Sequence, residues 1–279
     1  MIKFFTCRFN TLVLSFVLLV GVLIGFPNVA VAKSVTSVSL DPANAAVNVA
    51  AIYETSLETQ KSVIKSLKSS KSLLKKAPGF ESLSVLKSED GTRVVVLSQW
   101  QDLASFQTYS AQPTEDKSKS SKSKESKDAS IAPPRTVVFK IEKTQAADEG
   151  TTPAIRGKEA VVQFSEFTVK NPDDQPKVIA SVEKMMPNIL LKKPAPQATT
   201  LLSSVDNTDV ALLANWNCTA DFEDTGNPAG FDQPDADLVA LADNDQRLYD
   251  VVQIMSAKSK ESKESKESKE SKESKESKE

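Results

Sequence analysis

Residues 77–100 read APGFESLSVLKSEDGTRVVVLSQW, and this stretch decides the fold. The segment Phe80–Lys87 is typical of a β-strand, and Thr92–Trp100 is a second strand with apolar side chains on both faces. Between them, Asp90-Gly91 supplies the positive φ angle that a tight hairpin turn requires. The stretch therefore predicts a β-hairpin whose second strand is covered on both sides.

Regular elements are also predicted on either side of this hairpin. A β-prone strand covers residues 47–54, and a helix with apolar side chains at helical spacing covers 56–76, where Pro78-Gly79 ends it. A short helix at 103–109 and a strand at 136–142 follow the hairpin. The order β-α-β-β-α-β is that of a ferredoxin-like unit, so the predicted fold class is α+β.

The same pattern occurs a second time in the chain. The sequences VIKSL at 63–67 and VIASV at 178–182 are each followed by LLKK and then by an apolar strand that closes on tryptophan, Trp100 or Trp216. Such self-similarity indicates a duplicated unit. The second unit is predicted to contain strands at 160–169, 198–205, 210–216 and 248–255 and helices at 172–191 and 238–241.

Changes in composition divide the chain into four parts. Residues 1–32 are predicted to be a signal peptide, and residues 33–144 form the first α/β unit, which includes a disordered Lys/Ser-rich loop at 114–131. Residues 158–256 form the second α/β unit, and residues 257–279 are a disordered tail of Ser-Lys-Glu repeats. The tail is read either as a spacer or surface tether or as a repeat expansion without a specific role.

The N-terminal segment has the three regions of a secretory signal. Lys3 and Arg8 precede an apolar run, and Ala30-Val31-Ala32 supplies small residues for cleavage. The alternative is an uncleaved membrane anchor. Export predicts a periplasmic, extracellular or internal-lumen location, with no membrane contact after cleavage. Cys218 is then the only cysteine of the mature chain, which leaves it either free or in an intermolecular disulfide.

The composition argues against several classes of chemistry. The 279 residues include no histidine, which excludes a Ser-His-Asp triad and an imidazole zinc site. The 35 basic and 37 acidic side chains give a net charge of −2, which does not favour nucleic-acid binding. The acidic stretch 219–236 lacks the spacing of an EF-hand loop, so we expect a solvated loop and no metal site there.

Three short segments of the first unit resemble a known family. Pro78–Phe80, Asp90–Thr92 and Gln99-Trp100 are similar to the P-G-F opening, the D-G-T hairpin and the closing tryptophan of the antibiotic biosynthesis monooxygenase (ABM) domain. The resemblance covers about residues 45–112, and the second unit is looser, keeping mainly Asn215-Trp216 and its hairpin position. It implies a dimeric α/β barrel, which two tandem units could close within one chain as a monomeric pseudo-dimer.

The resemblance also implies a function. ABM-type oxygenases use neither flavin nor metal, so we expect a cofactor-independent monooxygenase that oxidises a small aromatic or phenolic substrate with O₂. The alternative is a non-catalytic barrel that binds a small apolar ligand or serves as a scaffold. A third hypothesis is a surface-associated protein whose repeat tail matters most. The family's haem-degrading branch is disfavoured because its strand-one asparagine and its histidine are both missing.

Candidate pocket residues follow from the two units, whereas no catalytic residue can be named. Trp100 and Trp216 close equivalent strands, and Asn215 precedes the second tryptophan. Glu54 and Glu166 are expected at similar places in the first strand of each unit, where a buried carboxylate would have a raised pKa and could act as a base. The alternative interpretation is that the tryptophans fill cores and the glutamates are solvated.

Overall fold

The structure is a computed structural model. It describes residues 37–69, 71–111, 132–157, 160–191, 195–216 and 236–257. The predicted signal peptide, the Lys/Ser-rich loop and Cys218 lie outside the described residues, as do nearly all of the acidic stretch and the repeat tail. No helix among the described residues is long and apolar enough to cross a membrane.

The described elements fall into two similar sets. The first set is β1 (Ser37–Ser39), β2 (Val47–Glu54), α1 (Thr59–Ser69), α2 (Lys71–Leu74), β3 (Phe80–Ser88), β4 (Arg93–Trp100), α3 (Leu103–Ser110) and β5 (Arg135–Ala146). The second set is β6 (Ala154–Arg156), β7 (Val161–Val169), a 3₁₀ turn (Pro172–Asp174), α4 (Gln175–Leu191), β8 (Ala198–Ser204), β9 (Asp209–Trp216), α5 (Ala236–Leu241) and β10 (Ala242–Ser256).

Eight strands form a closed antiparallel barrel. The first unit contributes strands in the order β3-β4-β2-β5, and the second unit contributes β8-β9-β7-β10. Each half has the ferredoxin-like strand order, and the halves join where β5 pairs with β8 and β10 pairs with β3. This confirms the predicted pair of ferredoxin-like units that close one barrel within a single chain. That the protein is a monomer in solution stays a prediction.

Two long strands hold the halves together. In β10, residues 242–250 pair with β7 of the same unit, and residues 249–256 pair with β3 of the other unit. In β5, the first residues pair with β2 and the later ones with β8. Every sheet edge of the barrel is thereby paired, which removes the exposed edges that promote aggregation.

Some element boundaries differ from those expected. The strand predicted at 136–142 extends to Ala146, and the strand predicted from 248 begins at Ala242. The additional residues complete the long strands, each of which pairs with one strand of its own unit and one strand of the other unit. Local sequence patterns do not reveal the pairing with the other unit. The helix predicted at 56–76 is divided into α1 and α2, and α4 continues through Pro187.

A short two-stranded ribbon, which the sequence did not predict, closes one end of the barrel. Strands β1 and β6 pair with each other, and Val38 and Ile155 join the apolar cluster inside the barrel. The Gln99 side-chain nitrogen donates a hydrogen bond to the Ser39 carbonyl oxygen, with 2.7 Å between nitrogen and oxygen. The ribbon is therefore fixed to β4 by both packing and hydrogen bonding.

The core consists of three apolar clusters. One fills the barrel interior, and the other two lie between the outer face of each half-barrel and its helices. Along β4, Val95 and Leu97 belong to the interior cluster, while Val94 and Trp100 belong to the helix-facing cluster. This alternation confirms the prediction that β4 is covered on both faces.

A repeated hydrogen-bond motif aligns the two units. The side-chain amide of Gln60 donates to the carbonyl oxygens of Ser88 and Arg93 at 3.0 and 3.1 Å. Gln175 makes the same contacts with Ser204 and Asp209, both at 3.0 Å. Each glutamine ties the start of a helix to the hairpin below it. Arg93 and Asp209 are therefore equivalent positions.

Gly79 has a structural role that explains the P-G-F segment. Its φ angle is +74°, and a Cβ atom at this position would lie 2.4 Å from the Ser105 Cβ atom of α3. The Gly79 carbonyl oxygen also accepts a hydrogen bond from the Gln101 backbone nitrogen at 2.7 Å. The absence of a side chain lets α3 lie directly against the start of β3.

We predict that Gly79→Ala is much more destabilising than Gly150→Ala. Gly150 has a similar φ of +81° but no atom within 4 Å of an added Cβ, so it isolates the backbone cost. The expected loss of unfolding free energy is about 1 kcal/mol at Gly150 and about 3 kcal/mol at Gly79, where overpacking adds to strain. Urea denaturation measures both. Equal losses would show that the contact with Ser105 has no effect.

Candidate functional site

An aromatic cluster lies on the helix-facing side of the first unit. Its members are Tyr53, Phe80, Trp100, Phe106 and Tyr109. The Trp100 ring centroid is 5.5 Å from that of Phe80, 5.7 Å from Phe106 and 5.0 Å from Tyr109. The Phe80 and Phe106 rings meet Trp100 edge-on, an arrangement that favours aromatic pairs.

Local structure places each ring of the aromatic cluster. Trp100 is the last residue of β4 and lies opposite Phe80 of β3 in the strand register. Phe106 and Tyr109 are one turn apart on α3, so they share a helix face. The N-terminus of α3 is capped by Asp102, whose carboxylate accepts a hydrogen bond from the Ser105 nitrogen at 2.7 Å.

The polar edge of Trp100 is satisfied inside the protein. Its Nε1 donates to the Ser98 hydroxyl oxygen at 3.0 Å, and that hydroxyl donates to the Val49 carbonyl oxygen at 3.4 Å. The indole orientation is therefore fixed by two strands. The Trp100 side chain is 1% exposed, as is that of Trp216.

The two tyrosines supply the polar groups of the aromatic cluster. Burial raises the pKa of Tyr53 above its usual value, and the charge that Tyr109 would carry raises it further. Burial also raises the pKa of Tyr109. Both phenols therefore stay protonated at neutral pH and can donate hydrogen bonds to an oxygen that carries negative charge.

The helix layer of the first unit is loosely packed over this cluster. Only Gln60 and Val63 of α1 are buried, and the neighbouring Leu57 and Leu73 are 71% and 50% exposed. Ile64, Leu67 and Leu74 are partly buried against the cluster. The first unit therefore combines the aromatic rings with a helix layer in which few side chains are fully buried.

The helix-facing layer of the second unit is more deeply buried. Trp216 packs there against an apolar face of α4, and five residues of that helix are buried: Gln175, Val178, Val182, Met186 and Ile189. The position equivalent to Tyr53 in the strand register is Phe167, which has no hydroxyl group. The helix-facing layer of the second unit is mainly apolar.

The five candidate pocket residues do not form one site. Trp100 belongs to the aromatic cluster, whereas Trp216 fills the core beneath α4. Asn215 alternates with Trp216 along β9, so it lies on the barrel-interior face. It is buried, and its amide atoms have no hydrogen-bond partner among the described residues. Glu54 and Glu166 lie at the end of the barrel opposite the tryptophans.

The expected equivalence of the two glutamates is wrong by two residues. Val47 pairs with Trp100 and Val161 pairs with Trp216, so the counterpart of Glu166 is Ile52. Their surroundings also differ. The Glu54 side chain is 67% exposed, whereas that of Glu166 is 4% exposed, which contradicts a solvated position for Glu166.

Glu166 belongs to an ionic cluster at this end of the barrel. The cluster is defined by Arg93, Arg135, Glu166, Asp209 and Asp245. Arg135 donates to Glu166 and lies 3.4 Å from an Asp209 oxygen, and Arg93 lies 2.7 Å from an Asp245 oxygen. Burial raises the pKa of Glu166, an effect that Arg135 and Arg93 oppose and Asp209 reinforces. Because two arginines contact it, Glu166 is better suited to joining strands than to acting as a base.

Sequence reasoning missed the two tyrosines. Tyr53 lies on the same face of the sheet as Trp100 only because of the register between β2 and β4, which the chain order does not state. Tyr109 could have been found, because its spacing from Phe106 places both on one face of the short helix that follows Trp100.

Comparison with protein families now assigns the first unit. Residues 46–114 match the family model described as antibiotic biosynthesis monooxygenase, a range that contains the whole aromatic cluster. The first unit is therefore similar to an ABM domain over these residues. No curated protein matches the chain. The residues that carried the expected resemblance, from Pro78 to Trp100, all fall within the matched range.

Solved structures confirm the fold of the whole barrel. A crystal structure described as an anthrone oxidase-like protein is 16% identical, covers 79% of this chain and 97% of its own, and has a TM-score of 0.62. SnoaB, described as a cofactor-independent oxygenase from Streptomyces nogalater, is 22% identical and covers 34% of this chain and 96% of its own, with a TM-score of 0.27. The first of these similarities extends across both units and therefore supports one fold for the whole barrel.

Asp90 in the hairpin turn joins the two units and makes the protein sensitive to acid. Its carboxylate accepts hydrogen bonds from the Thr92 nitrogen and hydroxyl at 2.9 and 2.8 Å and lies 2.6 Å from the Arg247 guanidinium of β10. Burial alone would raise its pKa, but these contacts and the Ser88 hydroxyl outweigh it and lower the pKa to about 2.

We predict that Asp90 contributes stability above about pH 4 that is lost as the pH falls towards 2. The sign follows because the folded pKa is lower than the unfolded one, so protonation favours the unfolded chain. Urea midpoints measured between pH 5 and pH 2 should fall less steeply for Asp90→Asn. Asp148→Asn, in an exposed loop, should keep the steep dependence. Parallel curves for wild type and Asp90→Asn would contradict the assignment.

Proposed function

We propose that the first unit binds a small aromatic or phenolic molecule against the aromatic cluster and oxidises it with O₂, without a bound cofactor. The observation that carries this proposal is the combination of Trp100, two protonated phenols and a loosely packed helix layer within the ABM match. The second unit acts as the other half of the barrel. Its helix-facing core is filled, so we assign it no ligand.

In this reaction the protein binds the substrate and stabilises the negative charge that develops on it. An electron-rich substrate that loses a proton gains negative charge on its oxygen, and the Tyr53 and Tyr109 hydroxyls can donate hydrogen bonds to it. For an anthrone, the balance is one O₂ consumed and two C–H bonds broken at one carbon. One C=O bond forms at that carbon, and one water molecule leaves. O₂ is the only oxidant required.

One feature of the aromatic cluster favours the alternative of ligand binding without turnover. Its five members include no carboxylate or amine, and the pKa values of both tyrosines are raised, so none of them is a ready base at neutral pH. A substrate must therefore be acidic enough to ionise in water.

Export through residues 1–32 is proposed from the sequence alone.

We predict that a soluble phenolic probe perturbs Trp100 and not Trp216. The chain has two tryptophans, so its indole N–H groups give two signals in a ¹H–¹⁵N NMR spectrum, which Trp216→Phe assigns. Titration with 2-naphthol should shift the Trp100 signal alone. Equal shifts of both signals, or none, would contradict a site in the first unit.

We predict that Tyr109→Phe weakens 2-naphthol binding about fivefold, the effect of one lost hydrogen bond of about 1 kcal/mol. Naphthalene, which lacks the hydroxyl group, should bind both proteins equally. The same NMR titration measures both ligands. A loss of naphthalene binding in the variant would instead indicate that the substitution disturbs packing around Trp100.

We predict that the mature chain accelerates anthrone oxidation in the presence of a metal chelator. An oxygen electrode should record one O₂ per anthraquinone formed, at a rate above that without protein. Tyr53→Phe/Tyr109→Phe should lower the catalysed rate at least about tenfold, because both donors to the developing oxyanion are lost. Trp216→Phe is the matched control and should retain the rate. Uptake equal to the buffer rate, with binding intact, would favour the binding module.

A further inference from the structure

The ionic cluster connects the first unit to the second by four ion pairs, two of which involve Glu166 and two of which involve an aspartate. Arg93 at the start of β4 lies 2.7 Å from Asp245 of β10. Arg135 at the start of β5 lies 3.4 Å from Asp209 at the start of β9. In each of these two pairs the arginine belongs to the first unit and the aspartate to the second. Both pairs lie at the same end of the barrel.

The strand register shows that these two contacts are one contact repeated with its charges exchanged. Arg93 is equivalent to Asp209, as the matching contacts of Gln60 and Gln175 established. Arg135 pairs with Ile52, and Asp245 pairs with Glu166, so Arg135 and Asp245 are also equivalent. The internal two-fold of the barrel therefore places the Arg93–Asp245 pair onto Asp209–Arg135.

This arrangement distinguishes mixed pairing from pairing of identical units. Two first units forming a barrel would place Arg93 against Arg135 at both contacts. Two second units would place Asp209 against Asp245, with two buried copies of Glu166 beside them. Like charges brought together in an interface oppose association, whereas the mixed barrel has opposite charges at both contacts.

Two further charged residues lie at the rim of the cluster and reduce the electrostatic difference between mixed pairing and pairing of identical units. Glu54 lies 2.8 Å from Arg93 within the first unit, and Arg247 lies 3.0 Å from Asp245 within the second. Neither occupies a position equivalent to one of the exchanged charges. Glu54 corresponds to Thr168, and Arg247 corresponds to Val137.

We propose that the ionic cluster makes each unit select the other as its barrel partner and reject a copy of itself. The partner that fits the open edge of the first unit is a unit with acidic residues at the positions of Asp209 and Asp245. Duplicated units otherwise share one pairing geometry and can associate between chains. The exchanged charges direct pairing to the neighbouring unit of the same chain. This proposal does not depend on ligand binding or turnover.

The experiment starts from the full folded chain. A protease site placed in the exposed loop 148–150 lets the chain be cut after folding, so that the two fragments remain one complex. The complex is unfolded in urea, refolded by dilution, and analysed by native mass spectrometry, which separates mixed from homotypic pairs by mass. We expect the wild-type protein to return only the mixed complex.

The variants share the substitution E166Q, which removes the buried carboxylate from every comparison. E166Q/R135D/D209R keeps opposite charges at both contacts of the mixed barrel but makes each unit complementary to itself. E166Q/R93D/R135D/D209R/D245R reverses the four charges at the two contacts, which restores the selection of the other unit. We expect homotypic complexes to approach roughly half of the total in the first variant and to be nearly absent in the second and in E166Q alone.

A neutral variant covers the case in which a charge reversal prevents folding. E166Q/R93Q/R135Q/D209N/D245N removes the charges at similar volume, and it should also yield homotypic complexes. Far-UV circular dichroism of each uncut variant checks folding. Only mixed complexes from the neutral variant would overturn the proposal, because selection would then reside in other contacts such as the β1–β6 ribbon. Homotypic complexes from the wild type would overturn it as well.

Discussion

Antiparallel pairing across the two seams of the barrel is the contact on which the rest of the structure depends. A four-stranded ferredoxin-like sheet has two open edges and, here, apolar side chains on both faces. The helices cover one face only. Pairing β5 with β8 and β10 with β3 satisfies the edges and encloses the other faces around a common interior. Neither unit has a complete hydrophobic core without the other, because the interior cluster draws residues from both.

Because both half-barrels belong to one chain, the two units need not be identical. The two helix-facing layers show the consequence. In the second unit, α4 buries five side chains and packs fully over Trp216. In the first unit, α1 buries two, and Tyr53 and Tyr109 are only partly buried in the layer that contains Trp100. The helix-facing layer of the second unit is therefore the more deeply buried of the two. A homodimer of identical units cannot have two such different layers.

Much of the fold could be predicted from the sequence because its signals are local. The Asp90-Gly91 turn, the apolar strand that ends at Trp100 and the repeated VIKSL and VIASV segments depend only on neighbouring residues. Seam pairing is not local, and it sets the lengths of β5 and β10. The same limit applies to the site. The tryptophans were recognisable, but register decides that Tyr53 lies opposite Val94 on the same face of the sheet as Trp100, and that Glu166 corresponds to Ile52.

The charged residues follow the same logic as the aromatic ones. The barrel interior is apolar along most of its length, so a buried charge is tolerated only where an opposite charge and hydrogen bonds compensate for lost hydration. The end near Glu166 meets this condition because the arginines come from one unit and the acids mainly from the other. Burial there makes a mismatched charge far more unfavourable than at a solvated surface. Residues that add little net stability can therefore still determine which unit pairs with which.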